Sequence, residues 1–438
     1  MASETPSARR AGERVGPIAL LILTSALLLM DTSLISLLIE PIRQDLGFSD
    51  GELGLLQGAV PTLAYALCAI PVGLLVDRFD RGRMILIALV LWTGALVLIV
   101  TAPGYAMLVV AKAIIGAVQA VLVTAPFSLI ADLSSRRRRS GAISALVVGQ
   151  YIGAALGFAL GGVVFAAMDG LADVAPWRLT VLAFGVAGVL LIPFYLGFRE
   201  PARTERETGF SAAGALLGGL GRQTRTLWPL FAAYAFAMIA GSVLQVWTAP
   251  AFIRLYGLSE AEVGGIAGAV TLVGGVAGAV LAGWLAERAR RRRRRGTPAT
   301  VIAALLLGVS TSLAIMPSTA AAVTLFTVGM IAAGVIGTSV TAFLMLYLPN
   351  QMRGLAGGAL ILLGIGPGLS LGPSLVAAVS ERTGGDLGGA MAWVGVLAAV
   401  CSAALFLVLG RLTRRLPVPE DVPDGASAAN GADAKMVA

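Results

Sequence analysis

The chain has 438 residues, of which 57% are hydrophobic and only 13% are charged. Soluble domains carry about twice that share of charged residues, so the composition excludes an ordinary water-soluble protein and indicates a membrane protein. The net charge is +8, and there is no histidine and only two cysteines. Histidine-based metal sites, Ser-His-Asp triads and disulfide frameworks are therefore excluded. We expect no metal, no cofactor, no catalytic residues and no enzyme activity.

Twelve apolar stretches are each long enough to cross a bilayer, which takes about 20 mostly apolar residues. They cover residues 16–40, 53–76, 84–102, 105–131, 141–167, 178–198, 227–253, 264–286, 299–316, 318–347, 355–379 and 388–410. The sequence therefore predicts twelve transmembrane helices.

The basic residues predict how the chain is oriented. Of the 32 Lys and Arg residues, 27 lie in the alternate segments that include both chain ends, four lie in the other loops, and Lys112 lies within a span. Cytoplasmic segments carry the excess of basic residues in multi-pass proteins. We therefore expect a multi-pass protein of the inner or plasma membrane with both termini in the cytoplasm. The positive charge then reflects anchoring in the membrane and not nucleic-acid binding.

A charged central segment divides the spans into six and six. The predicted organisation is a cytoplasmic N-terminal tail (1–15), a six-helix bundle (16–198), a cytoplasmic central loop (199–226), a second six-helix bundle (227–410) and a disordered cytoplasmic tail (411–438).

The two halves are related by an internal repeat. Residues 47–60, GFSDGELGLLQGAV, match residues 257–270, GLSEAEVGGIAGAV, at an offset of 210. The same offset continues without a gap to Gly73 and Gly283. A duplicated six-helix unit favours two bundles related by an axis along the membrane normal.

The pattern at residues 71–83, PVGLLVDRFDRGR, resembles the loop signature of the major facilitator superfamily. Within that superfamily, this segment, DLGFSDGELGLLQG (45–58) and MRGLAGGALILLGIGPGLSLGP (352–373) resemble Spinster-type transporters. The organic-anion symporters share the same polar pattern in the first half. The resemblance implies an all-α membrane protein of twelve helices in two six-helix bundles that works by alternating access. It also implies a cytoplasmic conformational gate built from Gly73, Asp77, Arg78, Arg81, Arg83, Glu287 and Arg288.

Asp31 and Lys112 are the only ionisable residues well inside the spans. A charge at the centre of a bilayer costs about 2.5–3.5 kcal/mol, and both residues lie roughly 10–13 Å from the outer ends of their helices. They are therefore expected to meet, either as a permanent ion pair or as a switchable pair in which Asp31 takes up a proton and frees Lys112. By resemblance, Gln119 stands where related families carry a carboxylate in the fourth span. We expect Asp31, Lys112 and Gln119 to carry proton coupling and substrate binding.

The remaining polar residues of the spans leave alternatives open. By resemblance, the first, fourth, seventh and tenth spans line a cavity, so Thr124, Gln245 and Thr338 are cavity candidates, with interhelical hydrogen bonds as the alternative. Glu40 is interpreted as an interfacial residue, with a second coupling site as the alternative. Glycines recur every four residues in the fifth span and indicate tight helix packing or a direction-setting motif. They are Gly149, Gly153, Gly157 and Gly161.

The spans of the second half lack ionisable residues away from their ends. A cavity that is polar on one side and apolar on the other suits an amphipathic substrate. The sequence therefore predicts a proton-linked secondary transporter of a lipid-like (lysophospholipid-type) or organic anionic compound. Its expected partners are that small molecule, protons and membrane lipids, and it is expected to act as a monomer. The alternatives are a sugar-acid symporter, a drug exporter, a uniporter, a scramblase and a receptor.

Overall fold

The computed structural model describes residues 6–135, 138–201, 224–291, 297–347 and 356–413, and this part of the chain is almost entirely α-helical. The helices are α1 (Pro6–Leu46), α2 (Asp50–Gln57), α3 (Ala59–Arg78), α4 (Arg81–Thr101), α5 (Tyr105–Leu133), α6 (Arg139–Met168), α7 (Pro176–Leu196), α8 (Thr224–Tyr256), α9 (Glu260–Arg291), α10 (Thr297–Ser310), α11 (Thr319–Tyr347), α12 (Gly366–Arg382) and α13 (Leu387–Leu412). A 3-10 turn, Thr311–Ile315, extends α10, and a π-helical turn, Ile361–Ile365, precedes α12.

The predicted twelve-helix fold is confirmed. Eleven helices are long and apolar enough to cross a membrane, and the remaining span, the second, is divided at Gly58 into α2 and α3. Gly58 leaves the helical conformation, with φ −104° and ψ −82°. Pro61 lacks the N–H that would bond the carbonyl of Gln57, so the break has a local cause.

Several predicted segments differ from the structure or lie outside it. Helix α1 begins at Pro6, within the predicted N-terminal tail. Most of the central loop (202–223) and of the C-terminal tail (414–438) lies outside the described residues, so the predictions for those two segments remain predictions.

The internal repeat corresponds to a repeated local structure. Gly47 and Gly257 both adopt positive φ, 69° and 66°, a conformation that favours glycine. Two residues later a serine begins each following helix. The Ser49 side chain accepts from the backbone N–H of Glu52, and Ser259 is paired with Glu262 in the same way. These reciprocal capping boxes explain why glycine, serine and glutamate recur at the offset of 210.

The glycines of α6 pack against α1. A Cβ atom built on Gly153 or Gly157 would collide with the backbone carbonyl of Ala26 or Met30, and one on Gly149 would collide with Ile22. This close approach of two backbones supports the packing interpretation of the four-residue glycine spacing.

Gly153→Ala should therefore lower the stability of the first bundle by about 1–3 kcal/mol, because a backbone carbonyl cannot move aside as a flexible side chain can. The measurement is the thermal unfolding midpoint in detergent. Gly94→Ala is the matched control, since nothing lies within 4 Å of a Cβ atom at that position. An unchanged midpoint for Gly153→Ala would contradict the packing interpretation.

The two bundles meet along α2 and α12 and along α6 and α9. A Cβ atom on Gly54 or Gly58 would lie under 3 Å from the carbonyl of Pro373 or Ser370. In the second repeat, Gly264 and Gly268 approach the carbonyls of Phe158 and Ala155 in the same way (2.5 and 2.8 Å). The equivalent glycines therefore bring both interfaces together at one end of the molecule.

The glycines at the opposite ends of the same spans make no such approach. No atom lies within 4 Å of a Cβ atom built on Gly73 or Gly283. We call the end that carries Glu40, Asp50, Arg254 and Ser380 the closed end, and the end that carries Arg81, Arg83 and Arg288 the basic end.

Candidate functional site

Asp31 and Lys112 lie in the interior of the first bundle, on α1 and α5. Asp31 is 4% exposed and Lys112 is 8% exposed. They interact electrostatically, but no ion pair within 4 Å joins them, so the permanent ion pair is not formed in this conformation. The group that interacts with the Asp31 carboxylate, apart from Lys112, is the buried indole N–H of Trp92.

Lys112 binds Gln57 instead. Its Nζ donates to Oε1 of Gln57 over 3.0 Å. Gln57 is the last residue of α2, so the helix break at Gly58 determines where its amide lies. In the sequence, Gln57 is only one of several polar residues within the spans. A stronger signal is that the equivalent position of the second repeat is Ala267, so the amide belongs to one repeat alone.

The other predicted coupling and cavity residues form no hydrogen bond with Asp31 or Lys112 among the described residues. Gln119, on α5, is half-buried and has no hydrogen-bond partner among the described residues. Thr124 donates to the carbonyl of Ala120 in its own helix over 2.7 Å. Thr338, on α11, is half-buried as well.

Gln245 contributes its backbone and lies where the bundles meet. Its carbonyl accepts a 2.6 Å hydrogen bond from the Ser36 hydroxyl of α1, and the Val246 carbonyl accepts another from the same hydroxyl at 3.1 Å. The position predicted to line a cavity through its side chain therefore joins the two bundles through its main chain.

Arg81, a predicted gate residue, is bound within the first bundle. It is 3% exposed, and it pairs with Asp132 over 2.7 Å and with Glu200 over 2.8 Å. A further hydrogen bond of 2.8 Å reaches Ser128. These partners tie the start of α4 to the end of α5 and to the segment that follows α7.

The other predicted gate residues are described only in part. Arg78 and Arg83 are exposed, and the side chain of Asp77 lies outside the described residues. Arg288 stacks over the Trp284 ring of its own helix at 5.2 Å. Glu287, at the repeat position of Asp77, has interactions of its own. A gating role for these residues remains a prediction.

A cluster of charged residues joins the two bundles at the closed end. Arg254, on α8, pairs with Glu40 of α1. It also pairs with Asp50 of α2, and the two nitrogen–oxygen distances to Asp50 are 2.8 and 3.0 Å. Glu40 also binds Arg43 over 2.7 Å. The Ser380 hydroxyl donates to Asp50 over 3.3 Å. These ion pairs and hydrogen bonds connect the two bundles at the closed end.

The interfacial interpretation of Glu40 is therefore wrong. Its side chain is 2% exposed and lies between the bundles, so its charge is stabilised by two arginines rather than by water. In the sequence, Arg254 is only one of the four basic residues that lie in the other loops. Opposite charges at the corresponding ends of the first and seventh spans were the signal that could have linked the two residues.

The second bundle has no buried acidic or basic side chain among its described residues. Its buried polar side chains are serines and threonines: Ser242, Thr248, Thr271, Thr300, Ser310, Thr311, Ser380, Ser402 and Thr413. The buried charges Asp31, Glu40, Arg81 and Lys112 all belong to the first bundle. In the described residues no group of three or more acidic or cysteine side chains is placed to hold a metal ion.

The sequence model of the Major Facilitator Superfamily matches residues 21–373. The chain belongs to the Major Facilitator Superfamily. It is 27% identical over 386 residues to an MFS-type efflux pump of Mycolicibacterium smegmatis, and the alignment covers 87% of each chain. It is 28% identical over 327 residues to the Spinster homolog 3 protein of Danio rerio, over 67% of this chain and 62% of that protein.

A solved structure has the same fold. It is a bacterial homolog of the human lysosomal transporter Spinster in an inward-facing, unoccupied conformation, with a TM-score of 0.77 at 22% identity over 91% of this chain and 97% of that chain. These similarities confirm the Spinster-like resemblance and the major facilitator fold. The relatives are transporters, so the chain is a multi-pass membrane transporter and not an enzyme.

Proposed function

We propose that this transporter couples proton movement to the transport of an amphipathic, lipid-like or organic anionic compound. The observation that carries the proposal is the buried side chain of Asp31, which forms no ion pair with a described residue while Lys112 lies within electrostatic range. A carboxylate in such surroundings can bind and release a proton without first breaking an ion pair. Intramembrane ionisable residues of this kind mark ion and proton pathways.

The unequal distribution of charge between the bundles supports an amphipathic substrate. The first bundle offers Lys112 to an anionic head group, and the buried polar side chains described in the second bundle are hydroxyls only. An apolar tail can lie against the second bundle without leaving a buried charge unpaired. A small sugar acid would need polar partners on every side.

The direction of the closed end follows from the distribution of basic residues. The 27 basic residues that share a side with both termini place the basic end in the cytoplasm. The closed end then faces the outside of an inner or plasma membrane, and this conformation is inward-facing. Opening the closed end would break the ion pairs of Arg254 and bring Gly73 and Gly283 against the opposite bundle.

The proposal predicts gradient-driven flux in proteoliposomes. The protein would be reconstituted as a monomer and supplied with a lysophospholipid or with a sugar acid, with and without an imposed pH gradient. We expect the lysophospholipid to move in a gradient-dependent way and the sugar acid to remain outside.

The other outcomes identify the alternatives. Gradient-driven movement of the sugar acid alone would replace the proposal with an organic-anion symporter. Extrusion of unrelated amphipathic cations would indicate a drug exporter, in keeping with the mycobacterial efflux pump that the chain resembles. Lipid movement that is equal with and without the gradient would mean a uniporter or a scramblase, and proton coupling would be abandoned.

A further inference from the structure

Gln57 lies at the junction between the closed end and the buried charges. It ends α2, the short helix that begins with Asp50. Asp50 binds Arg254 of the second bundle, and the Gly54 carbonyl accepts from Ser374. Because the break at Gly58 separates α2 from α3, the contacts with the second bundle help to position α2 and therefore Gln57.

Lys112 orients the amide of Gln57 in a way that leaves one polar atom of the amide without a hydrogen bond. Its Oε1 must face the ammonium group, because the amide nitrogen cannot accept a hydrogen bond. Its Nε2 is buried and has no hydrogen-bond partner in the described structure. Buried polar atoms are nearly always satisfied, and an exception calls for an explanation.

In the described part of the chain, the surroundings of Lys112 offer its ammonium group no other acceptor than Gln57 in the adjoining cavity. A cavity of about 30 Å³ adjoins Gln57 and Lys112 and is lined otherwise by aliphatic side chains of α1, α2, α4 and α5. Lys112 is the charged group whose field reaches Asp31 among the described residues. Without an acceptor at position 57, the ammonium group would have Asp31 as its remaining buried counter-charge.

We propose that Gln57 is a positioning residue that holds Lys112 away from Asp31, so that the Asp31 carboxyl stays free to bind a proton. The contribution of Gln57 to transport rests on the proposed function. Its geometry can be tested without substrate or gradient. A Gln57 side chain that only packed against its neighbours would have no effect on when Asp31 is protonated.

The test follows the protonation of Asp31 with dicyclohexylcarbodiimide, an apolar reagent that modifies protonated carboxyl groups. The full-length protein would be labelled in liposomes between pH 5 and pH 9, and the modified residue would be identified by peptide mass spectrometry. In Gln57→Met the freed ammonium group approaches Asp31 and favours its ionised form. The labelling midpoint should therefore shift to lower pH by about 1–3 units. At a pH above both midpoints, Gln57→Met should then be labelled about tenfold or more slowly than the unmodified protein.

Two further variants make the result specific. The double variant Gln57→Met/Lys112→Met should have the same labelling midpoint as the single variant Lys112→Met. Gln57→Glu keeps an acceptor for Lys112, so its midpoint should equal or exceed that of the unmodified protein.

The proposal is overturned if Gln57→Met leaves the midpoint unchanged, if its shift persists without Lys112, or if Gln57→Glu also shifts the midpoint to lower pH. If the labelling midpoints shift as expected but no gradient-driven flux is found, proton-linked transport is rejected and the role of Gln57 is kept. If proton-driven flux is found without the labelling shifts, proton-linked transport is kept and the role of Gln57 is rejected.

Discussion

Asp31→Asn should abolish gradient-driven accumulation of substrate while exchange across the membrane continues. Asparagine has nearly the same shape as aspartate but cannot carry a proton, and exchange requires only that the loaded carrier reorient. A gradient of two pH units coupled to one proton supports up to about 100-fold accumulation, since each unit is equivalent to about 1.4 kcal/mol. We expect this accumulation to disappear in the variant, as measured by uptake and by counterflow in proteoliposomes.

The structure indicates that this variant will fold. Lys112 keeps its hydrogen bond to Gln57, so removing the Asp31 charge leaves no newly broken ion pair in the bundle. Ser33→Ala is the matched control, because Ser33 is buried on the same helix and its hydroxyl lacks a partner among the described residues. It should transport normally. If Asp31→Asn retained full accumulation, Asp31 would be a structural residue and the coupling site would lie elsewhere.

Arg254→Gln should shift the conformational equilibrium towards opening of the closed end. Arg254 connects both Glu40 and Asp50 to the second bundle, and these contacts exist only while that end is closed. Truncating one partner of a buried, hydrogen-bonded charge pair costs 2 kcal/mol or more. In the open state, water would solvate both carboxylates. The ratio of closed to open molecules should therefore fall by about 30-fold.

The shift can be measured as a distance distribution between spin labels at Leu171 and Ala320, two exposed positions in separate bundles at the closed end. The two native cysteines would first be replaced. Arg382→Gln is the control, because Arg382 is an exposed arginine at the same end and should leave the distribution unchanged. A distribution for Arg254→Gln that matched the unmodified protein would show that the glycine contacts alone hold this end closed.

The sequence alone was sufficient for the architecture. Segment length and hydropathy predict the number of spans because the thickness of a bilayer sets the length of an apolar helix. The repeat at the offset of 210 predicts the duplication, and its residues have local reasons to recur: Gly47 supplies a positive φ, and Ser49 with Glu52 caps a helix. Asp31 and Lys112 are recognisable as buried charges because ionisable residues are rare within apolar spans.

The partners of these charges were decided by the tertiary structure. Lys112 was expected to pair with Asp31 but binds Gln57, because the break at Gly58 positions the end of α2. Arg81 was expected to belong to a cytoplasmic gate, and its partners in this conformation, Asp132 and Glu200, were not predicted. Hydropathy predicts which residues lie in the membrane and roughly how deep they lie. Which side chains meet depends on the rotation, tilt and breaks of neighbouring helices.

The ion pairs of the closed end were not predicted from the sequence, for the same physical reason. Glu40 and Arg254 lie more than two hundred residues apart, at helix ends where a charge can equally well face water. Only the packing of α1 against α8 buries Glu40 and makes Arg254 its partner. That packing also depends on the conformation, since the ion pairs between the bundles exist only when this end of the molecule is closed. Local sequence therefore determined each helix and its caps, and the contacts between bundles determined which charges act together.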